Sequence, residues 1–185
     1  VLSLSMLALS TPIFVQTAQA AQPVTAVYMQ GPGGGCGGGG QLTPAEIEGL
    51  LYMREEEKLA RDVYLTLYGK WRLAIFSIIS SSEVTHMTRI KDLLDRYGLA
   101  DPAAGKPVGV FTNPVIQQLY NDLILRGSQS STEALRVGVT IEEVDIADLQ
   151  KYLALTNKTD IKNVYTNLKS ASYNHLRAFN TQLGQ

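Results

Sequence analysis

From residue 42 onward the chain repeats one pattern. Apolar residues recur at three- and four-residue spacing, broken by Gly, Pro and short polar clusters, which is the period of helices that each bury one face. Leu50, Met53, Ala60, Tyr64 and Leu67 form the first stripe, and Phe76, Ile79, Ile90, Leu94 and Tyr97 the second. Leu135, Val139, Ile146, Leu149 and Leu153 form the third, and Ile161, Leu168 and Phe179 the fourth. Punctuation sets the boundaries. Thr43-Pro44-Ala45-Glu46 reads as a capping box with Pro at the first helical position, opening a helix that runs to about Tyr68 and stops at Gly69. A second helix is predicted from about Arg72 to Tyr97, with Gly98 as its stop. "LADPAAGKPVGVFT" is a loop, followed by a short helix capped by Asn113, with Pro114 first and Gly127 as stop. Ser130 and Glu133 offer another capping box for a helix reaching about Leu155, and a last helix is expected from about Asp160 to Leu183.

The fold class is therefore all-α. Short turns join the first long helix to the second and the third to the fourth, and a connection carrying the short helix joins the two hairpins. Two helical hairpins with one long crossover is the connectivity of the ferritin-like four-helix bundle; an up-down-up-down bundle needs three short loops.

Each stripe is interrupted near its middle by residues able to ligate a metal. Glu57 falls on the first, Glu83 and His86 on the second, Glu142 on the third, and Ser172 and His175 on the fourth. Levels agree as well as faces. With the first turn near residue 70, Glu57 stands opposite Glu83; with the second near residue 157, Glu142 stands opposite Ser172, one turn from His175. The chain's two histidines both fall in this layer. Burying carboxylates and imidazoles is costly unless something compensates them. Carboxylates plus imidazoles from four helices form the di-iron or di-manganese bundle site, and this donor set suits iron, manganese or zinc.

Composition narrows the partners. Lys+Arg 16 against Asp+Glu 17 leaves no basic run for nucleic acid and no acidic tail. "LSLSMLALSTPIFV" followed by "AQAAQ" reads as a secretory signal peptide, 1–20, that lacks its basic start. The competing reading is a short N-terminal membrane anchor. Cleavage leaves no membrane segment and places the protein in the secreted, periplasmic or cell-surface space. Residues 21–41 form a Gly-rich arm, with "PVTAVYM" as an unstructured lead-in, and 42–185 the helical domain. Cys36 is the sole cysteine, so it is a free thiol or pairs with another chain; a homo-oligomer joined through the arm or Cys36 is expected.

"REEEKLARDVY", "SSEVTHMTRIKDLLDRYGLADP", "IEEVDIADL" and "SASYNHLRAF" carry a resemblance to the ferritin-like superfamily, and within it to an uncharacterised bacterial and archaeal domain-of-unknown-function family. In ferritins and rubrerythrins a first-helix Glu precedes a Tyr by seven residues, as Glu57 precedes Tyr64, and the second helix carries Glu-x-x-His, as Glu83 and His86 do. The fourth-helix Glu-x-x-His is half present, with Ser172 in place of Glu before His175. The resemblance implies an exported metal-binding protein with iron/oxygen or peroxide chemistry, ferroxidase or peroxidase-like, or metal sequestration. Its ligands would be Glu57, Glu83, His86, Glu142 and His175, with Asp145 in place of the missing carboxylate.

Competing assignments stay open at this point. Glu56 shares a face with Tyr52, Leu59 and Val63 and competes with Glu57, and the run Glu55–Glu57 also suits a solvated face paired with Arg54 and Arg61. Glu142 is favoured over Glu143, which shares its face with Arg136 and Gln150. Tyr64 and Tyr97 read as core residues first and redox-active groups second. Trp71 reads as packing, and Asp101-Pro102 as turn chemistry. The alternative function is a structural or surface-assembly module with a degenerate metal site, built into a polymer through the arm.

Overall fold

The computed structural model describes residues 41–184, and the expected signal segment, Cys36 and the arm as far as residue 40 lie outside them. The described residues form five helices and no strand: α1 (Pro44–Trp71), α2 (Ala74–Tyr97), α3 (Pro114–Gly127), α4 (Ser131–Ala154) and α5 (Thr159–Leu183). α1 packs on α2, α4 on α5, α1 on α4 and α2 on α5, while α3 lies against α1 and α4. None of these helices is long and apolar enough to cross a membrane.

The predicted start of α1 is met in full. The Thr43 hydroxyl accepts from the Glu46 backbone N–H, and the Glu46 carboxylate accepts from that of Thr43. Its end differs: the helix passes through Gly69 to Trp71 and closes on Arg72, the one non-glycine residue with positive φ among the described residues (55°). Trp71 holds that last turn by donating its indole N–H to the Gly127 carbonyl at 2.8 Å. At α4 the Ser130 hydroxyl caps as expected, but the Glu133 side chain turns outward to Arg126 and Arg136, so only half of the box forms.

Most predicted stripe residues are buried. α4 presents a rotated face: Val139, Ile146 and Leu153 are half-buried, while Ala134, Val137, Gly138, Ile141 and Asp145 fill the interior. Gly138 permits this, because a Cβ there would collide with the ring of Phe179. The apolar core is in two pieces. One gathers Leu59, Tyr64, Phe76, Ile116, Ile141 and Phe179, and the other Leu50, Met53, Ile90, Leu149, Ile161 and Leu168. In every long helix the predicted ligand positions fall between the two clusters.

The alternative reading of Glu55–Glu57 as a solvated face is overturned. Arg54, Glu55, Glu56, Glu57, Lys58 and Asp62 are all buried; the crossover between α2 and α3 covers Arg54, Glu55, Lys58 and Asp62, and Glu57 lies inside the bundle beside His86. Glu55 accepts from the backbone N–H groups of Thr112 and Asn113 (2.5 and 2.8 Å). Lys58 donates to Asp62 and to the carbonyls of Pro107 and Val110, and Asp62 accepts from the Gly109 N–H. Gly109 has φ 77° and abuts the Tyr120 ring, so only glycine fits there. Arg54 makes two bonds to Asp101 and a third to the Met87 carbonyl, each 2.9 Å. Asp101 also accepts from the Ala103 N–H, the expected turn chemistry.

Candidate metal centre

Four helices deliver side chains to the layer between the two apolar clusters. Glu57 comes from α1, Glu83 and His86 from α2, Glu142 from α4, and His175 from α5. The three carboxylates and His86 are buried, while the His175 side chain is 12 % exposed. Helical geometry explains the convergence of Glu83 and His86, since residues three apart lie on one face.

The ligand atoms fall into two groups that share Glu83. His86 Nδ1 lies 2.8 Å from Glu83 Oε2 and 3.1 Å from Glu57 Oε2. His175 Nδ1 lies 3.0 Å from Glu83 Oε1 and 3.5 Å from Glu142 Oε2. In each group one atom per residue lies within 4.8 Å of the others, close enough to hold a metal ion: Glu57–Glu83–His86 and Glu83–Glu142–His175. The two imidazoles stack with centroids 5.5 Å apart and planes 22° from parallel.

Other residues fix this set. The Tyr64 hydroxyl donates to Glu142 Oε1 at 2.6 Å. Ser82 Oγ lies 3.1 Å from His175 Nε2, so a proton on Nε2 leaves the Nδ1 lone pair facing the carboxylates. Asp145, offered by the sequence as a substitute ligand, stands outside both groups; its Oδ2 accepts from Ser172 Oγ at 2.5 Å. Ser172 is thus tied to Asp145. Sequence reasoning missed Ser82, which no local motif marks, because its partner is 93 positions away.

Electrostatics show how charged this layer is. Burial raises Glu57 to about 8 against the lowering effect of His86, and it raises Glu142 as well. Asp145 is pushed well above the usual carboxylate range, first by burial and then by Glu57, Glu56 and Glu142. Burial acts the same way on Glu83, but His175 and His86 outweigh it and hold Glu83 at about 2. For the imidazoles burial disfavours the charge, yet their carboxylate partners raise His86 to about 11 and His175 to about 9.

The donor set fits a metal. Glu57 Oε1, Glu83 Oε1 and His175 Nδ1 are buried without a hydrogen-bond partner. The last two face each other 3.0 Å apart and pair when His175 is protonated, so Glu57 Oε1 is the ligand atom left without any partner, and a cation among these groups would satisfy it.

Residues 46–185 match the model of the uncharacterized protein domain DUF2202. The uncharacterized protein MJ0754 of Methanocaldococcus jannaschii is 54 % identical over 138 residues, 75 % of either chain. The crystal structure of hypothetical protein MJ0754 from Methanococcus jannaschii aligns with TM-score 0.76 at 52 % identity, covering 77 % of this chain and 82 % of that one. The crystal structure of a DUF305 fragment from Deinococcus radiodurans aligns with TM-score 0.63 at 15 % identity, over 78 % of this chain and 98 % of the fragment, a likeness of fold alone.

Proposed function

The chain belongs to the DUF2202 family, and from that premise we propose that it is a ferritin-like metal-binding protein whose bundle holds two neighbouring divalent cations. The observation that carries this reading is Glu83, whose two oxygens each serve a separate Glu–His pair. In this reading Glu57 and His86 would hold one cation and Glu142 and His175 the other, with Glu83 common to the two groups. Carboxylate oxygen with neutral imidazole nitrogen suits iron first, with manganese and zinc as competitors. Iron so held supplies one-electron chemistry toward dioxygen or peroxide, and we assign the protein to Fe(II) oxidation or peroxide consumption, or to metal sequestration. We place it outside the cytoplasm on the pattern of residues 1–20.

The chain's own side chains act as follows. His86 and His175 hold protons between carboxylates in the metal-free protein and would ligate through the same Nδ1 atoms once those protons are released to solvent. Tyr64 keeps Glu142 turned toward His175, and Ser82 keeps the His175 ring in register. Ser172 offers a hydroxyl already committed to Asp145, so the two sides of the site are unequal and Glu83 is the one shared carboxylate.

Elemental analysis of protein purified without chelator tests the reading. About two metal ions per chain are expected in the native protein, and His86→Ala should lose at least half of them. A native protein that carries no metal and takes up none from Fe(II), Mn(II) or Zn(II) solutions would refute it.

A further inference from the structure

α2 and α5 run antiparallel, and three contacts fix their register. The rings of Phe76 and Phe179 lie 5.8 Å apart, Ser82 meets His175, and the Tyr97 hydroxyl donates to Asp160. Ile79 therefore stands level with Ala178, and Ile75 with Gln182. At these upper levels the seam is open. A groove of about 420 Å³ lies there, walled by Ile75, Ile78 and Ile79 from α2 and by Ala178, Thr181 and Gln182 from α5. That volume suits a small organic molecule. No charged side chain lines it, and Ile78 stands at its edge 70 % exposed, with apolar surface to gain by being covered.

The groove leads down to the centre. Ser82 and His175 form the next level of the same seam, one helical turn below Ile79 and Ala178. In the carboxylate–histidine layer the imidazoles are the members that reach solvent. The His86 and His175 side chains are 7 % and 12 % exposed, against 2 % for Glu57 and 3 % for Glu83 and Glu142. Toward α1 and α4 the layer is closed by buried Tyr64, Asp145 and Ser172. The centre therefore communicates with the outside along α2 and α5, below the groove.

The lining selects the occupant. A hydrated cation gains nothing from apolar walls, and an anion finds no positive charge among them. A neutral molecule with an apolar body and one polar end matches both parts of the seam. Its body covers Ile78 and its polar end faces Ser82 and His175. When the His175 Nε2 proton points at Ser82 Oγ, the Ser82 hydroxyl keeps its own hydrogen for another acceptor.

We propose that the α2–α5 groove seats the apolar body of an organic hydroperoxide and brings its peroxide end to Ser82 and His175 at the edge of the centre. The inference rests on the metal-binding reading above and names the oxidant within it. Hydrogen peroxide has no apolar part for these walls to hold; an alkyl or aryl hydroperoxide has one. The reaction balances with two ferrous ions. The O–O bond of ROOH breaks on taking up two electrons, one from each Fe(II). Two protons from solvent complete ROH and water, and two Fe(III) remain. The chain's part is to hold R against Ile75, Ile78 and Ala178 and to donate the Ser82 hydroxyl to a peroxide oxygen.

Cumyl alcohol, the unreactive product of cumene hydroperoxide reduction, is the binding probe, added to the metal-free full chain and followed by amide NMR. Shifts are expected at Ile75, Ile78, Ala178 and Ser82. Ala178→Phe fills the groove and Ile78→Lys charges its exposed edge, where folding is not at stake; each should weaken binding about tenfold. Stopped-flow oxidation of the Fe(II)-loaded chain is the second measurement. Cumene hydroperoxide should react about tenfold more slowly with Ile78→Lys than with native protein, while hydrogen peroxide reacts at the same rate with both. No shift in native protein, or equal slowing of both peroxides, would overturn the proposal and leave the metal centre standing. A native dimer that Ile78→Lys turns into monomer, with no probe bound, would overturn it in favour of a second copy in the groove. Probe shifts in a chain that takes up no Fe(II) would overturn the metal-binding reading and peroxide reduction with it, leaving an apolar ligand site.

Discussion

The Tyr64 hydroxyl on α1 donates to Oε1 of Glu142 on α4 across 2.6 Å, with both side chains buried. The bond fixes a proposed ligand carboxylate from outside the carboxylate–histidine layer, and it joins that layer to the cluster in which the Tyr64 ring meets Phe76 and Phe179. Tyr64→Phe keeps that packing and removes only the donor. Removing such an outer partner typically costs metal affinity ~10- to 100-fold. The loss should fall on the Glu83–Glu142–His175 group, so one of two inner ions weakens in a calorimetric titration while the other holds. Equal weakening of both would mean that the bond supports the bundle rather than the ligand.

Glu83 and Glu57 should behave unequally. Glu57→Ala strips one group and should leave about one inner ion per chain. Glu83→Ala strips the carboxylate common to both groups and should leave neither inner position filled. Elemental analysis of the two variants side by side reads this directly, and equal stoichiometry would show that Glu83 is not shared.

Stability of the metal-free protein should depend on pH with a definite sign. Glu57 ionises near 8 in the folded protein, raised from 4.5 by burial. A folded value above the unfolded one gives a contribution that is full below 4.5 and is lost as pH rises through 8. Glu142 is raised in the same sense. Glu83, held at about 2 by the histidines, acts oppositely: its contribution is present above 4.5 and is lost as pH falls toward 2. Thermal melts of the chelated protein should therefore show the midpoint falling between pH 5 and 9, and metal should flatten that decline. A midpoint that rises over this interval would contradict the assignment.

The crossover's anchor predicts a large effect away from the centre. Lys58 and Asp62 are fully buried, 2.5 Å apart, and Asp62 also holds the Gly109 N–H. Asp62→Ala leaves an ammonium buried without its counter-ion, which costs roughly 3–5 kcal/mol. In a chain of this size that lowers the melting midpoint by roughly 6–20 °C. Metal stoichiometry of the folded fraction should stay at the native value, which separates a loop anchor from a ligand. A melting shift under about 2 °C would show that the loop holds by other means.

Much of this molecule was legible because its signals are local. Thr43 and Glu46 cap as their spacing dictates, and the midpoints of four stripes carry the residues that converge. Helical phase favoured Glu57 without separating it from Glu56, and it is Glu57 that reaches His86. What escaped is non-local. The outer face of α1 reads as solvated because its partners in the crossover are backbone groups of Pro107, Gly109, Val110 and Thr112, which leave no mark in side-chain chemistry. The inward face of α4 was misplaced by part of a turn because α3 covers its flank, which draws Val137 and Ile141 inward in place of Val139 and Ile146. The one available clue to the anchor was Lys58 and Asp62 at a four-residue interval, a spacing shared with many exposed pairs.

The Arg54 side chain touches two distant segments at once, grasping Asp101 beside the loop's Ala103 turn and the carbonyl of Met87, the residue after His86. One guanidinium thus fastens the crossover to the stretch of α2 backbone that carries His86, so the outer wrapping of the bundle and its innermost layer share a single rivet.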